Sequence, residues 1–534
     1  MAMATQADGP KKLHGRAFYE SIGSPKFIVA PMVDQSEFAW RKLARSLMPA
    51  SQQLLAYSPM FHARLFAHDD KYRRSHFQAV RPGTHEPWLD GNPALDRPLI
   101  VQFCANDADI LLAAAQKAAP YCDAVDLNLG CPQGIARKGH YGAFLQEDQE
   151  LVFKLINTLH RHLSVPVTAK IRILDTKEAT LAYARNVLDA GASILTVHGR
   201  RRDQKSHLTG LADWKMLRFL RDNLPPETVL FANGNILQHG DVQRCLDATG
   251  ADAVMSAEGH LSDPTIFAEP PRAGEQDRHY WRGKDSLGGW RVDAVVRRYL
   301  DIIHRYALGQ EPPQRSPLFV PGDDTPWLHD DANTEPPAKR RKTDNGEPAD
   351  DASKPTSGAA VSKPTPDSAN PNLSALQPHF FHLLRHLVTR HTDVRDQLAR
   401  TRRGGIDAYE AVLAAVERKV AAGLLEYESS KGRSFDDELA AIPDAPDEPD
   451  DQSSLATVRR CKRPWWVAQP IIRPLPREAL AKGAISLSKK KKKQEAKAQD
   501  AKQVEAQGQS AGVEQAVAQG IKDQPESTDN LVAG

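Results

Sequence analysis

The stretch Ala124-Val125-Asp126-Leu127-Asn128-Leu129-Gly130-Cys131-Pro132 decides the fold. A short apolar strand ends in an amide, and a glycine turn then presents a thiol. Pro132 lacks an N–H and stops the strand from continuing. A loop follows, with glycines at 134, 139 and 142 and the basic pair Arg137-Lys138. A cysteine on a loop at the C-terminal end of a strand stands where α/β folds place their chemistry. The competing fate of Cys131 is that of a small buried hydrophobe.

Outward from this stretch, short β-branched runs alternate with longer amphipathic ones. Strands are expected at Lys26–Ala30, Gln53–Tyr57, Leu99–Phe103, Ala124–Leu127, Val167–Ile171, Ile194–Val197, Val229–Ala232 and Ala253–Ser256. Helical patterns lie between most of them, as at Gln35–Leu47, Ala108–Ala119, Asp148–His160, Lys177–Ala190, Trp214–Asn223 and Asp241–Ala248. This rhythm over roughly 250 residues matches a (β/α)8 TIM barrel in strand number and size. A doubly wound open sheet would need a G-x-G-x-x-G first turn, and none follows the first strand.

Barrel active sites gather at the C-terminal ends of the strands. There the sequence sets Pro31-Met32-Val33, Gln102, Asn128 and Cys131, Lys170 and Arg172, His198-Gly199-Arg200, Asn233-Gly234-Asn235 and Ala257-Glu258-Gly259. Each alone is readily explained as a loop cap or a solvated charge. Together, at seven of eight strand ends, they describe an active face. Asn233-Gly234-Asn235 and Ala257-Glu258 suit a phosphate cradle, since barrels commonly hold phosphate after the last two strands. Lys170 suits negative charge on a reduced ring, and Gln102 the edge of a planar heterocycle, with Pro31, Met32 and Val33 beside it. Flavin mononucleotide (FMN) meets these needs; a sugar phosphate also meets the spacing. An ordinary thiol is mostly protonated at neutral pH, which equips Cys131 to donate a proton.

With 534 residues the chain is too long for one ordinary core. A net charge of +2 leaves any statement about partners to local clusters. Five cysteines without C-x-x-C spacing argue against a disulfide framework or a metal site and fit a reducing compartment. No apolar run approaches membrane-spanning length, so an intracellular monomer without membrane or metal is expected, in the cytoplasm, the nucleus or both.

The expected organisation is a flexible leader over 1–20 and the barrel over 21–275. A helical domain over 284–308 and 373–435 is split by a disordered insertion over 309–372. Its first helix is expected at Trp290–Ala307, its others at Ala375–Arg390 and Ile406–Val420. Arg291, Arg297, Arg298, Arg305, Arg385, Arg390, Arg395, Arg400, Arg402 and Arg403 make sense there as nucleic-acid phosphate contacts, or else as a solvated face. The basic run 337–342 has the look of a nuclear localisation signal. Residues 436–534 read as a mostly disordered tail, with a tryptophan segment at 461–476 and a lysine run at 489–493. Trp465 and Trp466 are expected to dock on the helical domain, the sharper alternative being stacking on RNA.

Pro31-Met32, Leu127-Asn128-Leu129-Gly130-Cys131-Pro132, Lys170-Ile171-Arg172, Val197-His198-Gly199-Arg200 and Asn233-Gly234-Asn235-Ile236 resemble the tRNA-dihydrouridine synthase family. Gly139-His140-Tyr141-Gly142-Ala143-Phe144-Leu145 and Met255-Ser256-Ala257-Glu258-Gly259 are similar to its eukaryotic branch acting at uridines 16 and 17 of the tRNA D-loop. The resemblance covers roughly residues 25–270, and more weakly the C-terminal part. It implies a barrel that holds FMN, reduced by NADPH or NADH, and a flipped-out uridine that takes hydride at C6 and a proton at C5 from Cys131. It further implies that Gln102 and Lys170 contact the flavin ring and that His198 and residues 233–235 contact its ribityl phosphate. Asn128, Arg172 and Arg200 would serve the uracil, and the helical domain would clamp tRNA. One departure is Glu258, where many bacterial members carry arginine. A carboxylate cannot neutralise phosphate, so backbone N–H groups and nearby cations are expected to hold it. The alternatives are an FMN-dependent reductase of a small molecule and a noncatalytic tRNA-binding protein.

Overall fold

The computed structural model describes residues 12–284, 287–324, 370–401, 405–443 and 453–481. Eight parallel strands close a barrel: β1 (Phe27–Val29), β2 (Leu54–His62), β3 (Leu99–Cys104), β4 (Ala124–Leu129), β5 (Val167–Arg172), β6 (Ile194–His198), β7 (Val229–Asn233) and β8 (Ala253–Ser256). Closure is the pairing of β1 with both β2 and β8, with Ile28 opposite Leu55 on one side and Met255 on the other. β3 and β4 are buried along their whole length, because helices cover one face and the barrel interior fills the other. All eight expected strands are present. β2 runs further than expected, through His62: a register shift between Tyr57 and Met60 absorbs Pro59, which cannot donate to the ladder.

The expected flexible leader is corrected in part. Gly15–Ser21 is a helix whose Phe18 and Tyr19 are buried in one cluster with Ile28, Leu55, Ile100 and Phe231 of the barrel interior. Tyr19 Oη donates to the Pro25 carbonyl at 3.1 Å, and Arg16 pairs with Asp252 at 2.6 Å. These two aromatic side chains, nine and eight residues before β1, pack into the barrel interior; residues 1–11 lie outside the described set.

The helical region follows as Val292–Ile302, a wider π-turn at Ile303–Leu308, then Leu376–Leu383, Arg385–Arg390, Thr392–Arg400 and Gly405–Ser429. The expected helix over 375–390 is thus interrupted at Leu384, and the one over 406–420 extends to Ser429. That extension passes Gly423, where a Cβ would come 2.4 Å from the Trp465 indole. The missing side chain costs helix propensity, about 1 kcal/mol relative to alanine, and makes room for the tryptophan.

The start of the expected disordered insertion is also corrected. Residues 309–324 run back over the helices, burying Leu318 and Phe319. Arg315 there reaches Asp301 at 2.6 Å and Glu410 at 2.8 Å. The remainder, 325–369 with its basic run, lies outside the described residues. In the expected tail, 436–443 and 453–473 are likewise packed parts of the protein. Trp465 lies 4.6 Å from the His391 ring; Trp466 lies 5.8 Å from Trp281 and 5.9 Å from Tyr427. The indoles are 5% and 2% exposed, so they dock, as expected, and offer no open face to a base. The described residues after Arg473 belong to a separate unit and carry a short helix at Pro476–Ala481; the lysine run lies outside the described residues.

Barrel and helical region share a buried joint. Trp40 stacks on His379 at 3.9 Å and donates Nε1–H to His260 Nδ1 at 3.1 Å. Glu37 accepts from Tyr299 Oη at 2.9 Å and pairs with His379 Nε2 at 3.1 Å. Among the described residues no helix is long and apolar enough to cross a membrane.

Candidate active site

The strand ends bring the expected residues to one mouth. On β4, alternation turns Asp126 and Asn128 to the same side. Asp126 is fully buried and accepts from Thr168 Oγ1 at 2.6 Å and from Gln102 Nε2 at 2.8 Å. With its N–H group committed to a carboxylate, Gln102 turns its oxygen to Asn128 Nδ2 at 2.9 Å. The Asn128 oxygen then accepts from the Cys131 amide at 2.9 Å. A relay of hydrogen bonds therefore runs from the barrel interior to the thiol loop, and its buried end fixes which way each amide points. Asp126 was not singled out in the sequence, since an acidic residue inside a strand reads as one more alternating position.

The loop geometry follows from close approaches. Gly142 has φ +66°, and a Cβ there would meet the Cys131 carbonyl at 2.8 Å. Ala143 N–H donates to that carbonyl at 3.0 Å. Arg172 Nε donates to the Gly130 carbonyl at 2.6 Å, holding the glycine turn. Two cations of the loop after β6 fasten the thiol loop from across the mouth. Lys205 donates to the Pro132 carbonyl at 2.7 Å, and Arg202 to the Ala143 carbonyl at 3.0 Å. Nothing in the local sequence signals either contact. Beside the loop lies a cavity of about 250 Å3 lined by His62, Arg64, Cys104, Asn106 and Tyr141.

The electrostatics of the mouth are one-sided. Burial, then repulsion from Arg172, brings Lys170 down to about 8 despite the nearby Asp126. Its ammonium has no hydrogen-bond partner among the described residues. Burial, then Arg200, brings Arg172 down to about 10. His198 is pushed well below its ordinary value by burial and by Arg172, Lys170 and Arg200. It is therefore a neutral imidazole, and its Nε2 accepts from Arg200 Nη1 at 3.0 Å. Burial raises Asp126 to about 6, against the bonds from Thr168 and Gln102. Cations held together at such cost suit an anionic ligand.

The cradle side is built around Arg200. Beyond His198, it donates to the Asn235 side chain at 3.0 Å and to the Gly210 carbonyl at 3.0 Å. These hydrogen bonds tie Arg200 to the loops after β6 and β7. Asn233 donates to the Met255 carbonyl at 2.9 Å, joining β7 to β8. Gly234, at φ +119°, has no room for a Cβ, which would lie 2.5 Å from Ala212. Asn235, at φ +64°, takes a left-handed turn that asparagine tolerates. Glu258, just after Ala257, pairs with Arg473 at 2.5 Å. Met32 is buried, Pro31 partly so, and Val33 is 54% exposed at the rim.

The helical arginines divide. Arg291 is buried against Asp293 at 2.5 Å, and Arg297 pairs with Glu417 at 2.6 Å. Arg298 lies over the Trp290 ring, and Arg305 sits 3.8 Å from Glu311. Arg390 meets Glu438 at 2.8 Å, and Arg395 meets Asp396 at 3.1 Å. These are engaged within the fold. Arg385 and Arg400 are exposed, and Arg402 and Arg403 lie outside the described residues.

Comparison with known proteins agrees with this geometry. The dihydrouridine synthase family model matches residues 28–304, spanning every barrel strand after the first residue of β1 and the first helix beyond. The chain is 42% identical over 467 residues to the tRNA-dihydrouridine(16/17) synthase (NAD(P)+) of Schizosaccharomyces pombe, covering 87% of this chain and 92% of that one. It is 54% identical over 293 residues to the protein of that name from Saccharomyces cerevisiae, covering 55% of this chain and 64% of that one. A mouse tRNA-dihydrouridine(16/17) synthase-like protein is 46% identical over 259 residues, 48% of this chain and 50% of its own. The mouth that gathers Cys131, Asn128, Lys170, Arg172 and His198 lies within the matched span, and the chain belongs to the dihydrouridine synthase family of oxidoreductases.

Proposed function

We propose that this protein reduces uridine to 5,6-dihydrouridine at position 16, 17 or both in the tRNA D-loop, using FMN that NADPH or NADH re-reduces. The observation that carries the reading is the relay Asp126–Gln102–Asn128–Cys131 set beside Lys170, whose ammonium has no hydrogen-bond partner among the described residues. The donor set fits the cofactor. Lys170 would supply a cation for an anionic ring, Gln102 and Met32 would hold the ring, and His198, Arg200 and residues 233–235 would hold the phosphate side. Reduced flavin, when bound, supplies the hydride for C6.

The chain's own residues do the rest. Cys131 gives its Sγ proton to C5 of the uracil. Asn128 and Arg172 keep that thiol in place by holding the N–H and the carbonyl of the Gly130–Cys131 peptide. Lys205 and Arg202 restrain the loop from across the mouth and contribute positive charge toward an approaching phosphate backbone. Extruding the base costs a few kcal/mol, offset by stacking and by hydrogen bonds to the uracil edge. Incubation with NADPH and unmodified tRNA, followed by mapping of dihydrouridine, tests the reading. Product at 16 or 17 supports it, and reduction of free uridine as fast as of tRNA would replace it with a small-molecule reductase.

A further inference from the structure

Glu258 poses an electrostatic problem. It stands directly after β8, on the side of the mouth that the proposed function gives to the cofactor phosphate, where a lone carboxylate would repel the ligand. The structure answers with a guanidinium from 215 residues away: Arg473 Nε donates to Glu258 Oε1 at 2.7 Å, and Nη2 reaches the same oxygen at 2.5 Å. Arg473 also approaches the Ser206 carbonyl, on the loop after β6, at 3.5 Å. It therefore spans the loops that follow β6 and β8.

The segment that delivers Arg473 is anchored with care. Trp466 carbonyl accepts from the Val292 amide at 2.9 Å, and the Ala468 amide donates to the Trp290 carbonyl at 2.8 Å. His386 Nε2 meets the Pro470 carbonyl at 3.2 Å, three residues before the arginine. The arginine itself is half exposed, as is Glu258. A half-exposed ion pair contributes little to stability, so holding the fold is a poor account of it. Arg473 keeps N–H groups to spare after engaging Glu258, and Arg200 lies within electrostatic reach of both partners.

We propose that Arg473 is a cofactor-phosphate ligand, carried to the barrel mouth by the C-terminal segment and aimed by Glu258. The barrel alone then holds an incomplete phosphate site, completed by residues beyond the helical region. The inference rests on the FMN reading above and adds the residue that makes the carboxylate tolerable there.

Apo full-length protein titrated with FMN and with riboflavin, by quenching of flavin fluorescence, separates the two claims. The wild type binds FMN more tightly than riboflavin. Arg473→Ala weakens FMN binding about tenfold, the size of one lost charge-assisted bond, and leaves riboflavin within about twofold of the wild type. Glu258→Arg placed on the Arg473→Ala background restores FMN binding, because it returns a cation to the same place. An undiminished preference for FMN in Arg473→Ala overturns the inference while the flavin reading stands, as does an equal loss for both flavins, which marks a merely structural residue. A wild type that binds neither flavin, or both alike, removes the phosphate site itself and the inference with it.

Discussion

Two sets of buried cations in this molecule are opposites. Beneath the barrel's side wall, Arg41 is completely enclosed, with Asp90 at 2.7 Å and Asp96 bridged at both its Nε and Nη2, and Arg45 reaches Asp96 at 2.6 Å. Burial opposes ionisation there, yet Arg41 and Arg45 still hold the Asp96 carboxyl below its usual range. At the mouth, Lys170, Arg172 and Arg200 crowd one another, Lys170 has no hydrogen-bond acceptor among the described residues, and each is lowered by burial and like charge. The first set is spent on the fold; the second is held ready for a ligand. The lesson is that the partner of a buried charge, more than its burial, distinguishes structure from function.

The thiol offers the widest separation of the two roles. Cys131→Ala is expected to lower dihydrouridine formation by at least about a hundredfold, the usual contribution of a positioned proton donor, while thermal stability and flavin content stay as in the wild type. Unchanged product formation in quantitative tRNA analysis breaks the proton-donor assignment. Next in size, Arg41→Gln strands the buried Asp90, leaves Asp96 with Arg45 alone, and should destabilise by about 3–5 kcal/mol in urea unfolding. In the wild type the Asp96 share of that stability is present at neutral pH and lost only on acidification below the ordinary carboxylate range, because its folded value is the lower one.

Lys170 has the reverse sign. Its folded value of about 8 lies below its ordinary 10.5, so the folded protein binds fewer protons than the unfolded chain between these limits. Stability therefore rises with pH from about 8 to 10.5, and the penalty of the charged lysine is full below 8. Lys170→Gln should stabilise the apoprotein at pH 7 by about 2 kcal/mol, discounted for the solvent its amine still meets, and the gain should fade by pH 10.5. A destabilised variant at pH 7 would place Lys170 with Arg41, among structural charges. Smallest is the effect expected on the helical surface. Arg390→Ala, which breaks pairs with Glu426 and Glu438, should cost under about 1 kcal/mol and leave the salt dependence of tRNA binding unchanged. Arg385→Ala or Arg400→Ala should flatten that slope by about one unit if either meets a phosphate. Point substitutions are the right probe here, because removing the whole helical stretch would strip His379 from Trp40 and expose the joint.

The barrel was legible because its cause is local and repeated. The ends of β3 to β8 each carry a glycine, amide or charge, and the spacing alone carries that pattern. Cys131, Lys170, His198 and Asn235 were legible for the same reason. What stayed hidden depends on contacts across long stretches of chain. Lys205 on the Pro132 carbonyl and Arg473 on Glu258 have no signature at either end. Asp126 was hidden by its position inside a regular strand, although its burial makes it the anchor of the amide relay. Phe18 and Tyr19 were masked by the glycine, proline and charge around them. The arginines of the helical region were overread, since sequence reports a charge and says nothing of Glu417 or Glu438 waiting opposite.

The most direct test of the account is flavin reoxidation after anaerobic reduction with NADPH, on adding tRNA that lacks dihydrouridine. Rapid reoxidation is expected with tRNA and none with free uridine. Bound flavin that is reduced yet indifferent to tRNA would contradict it.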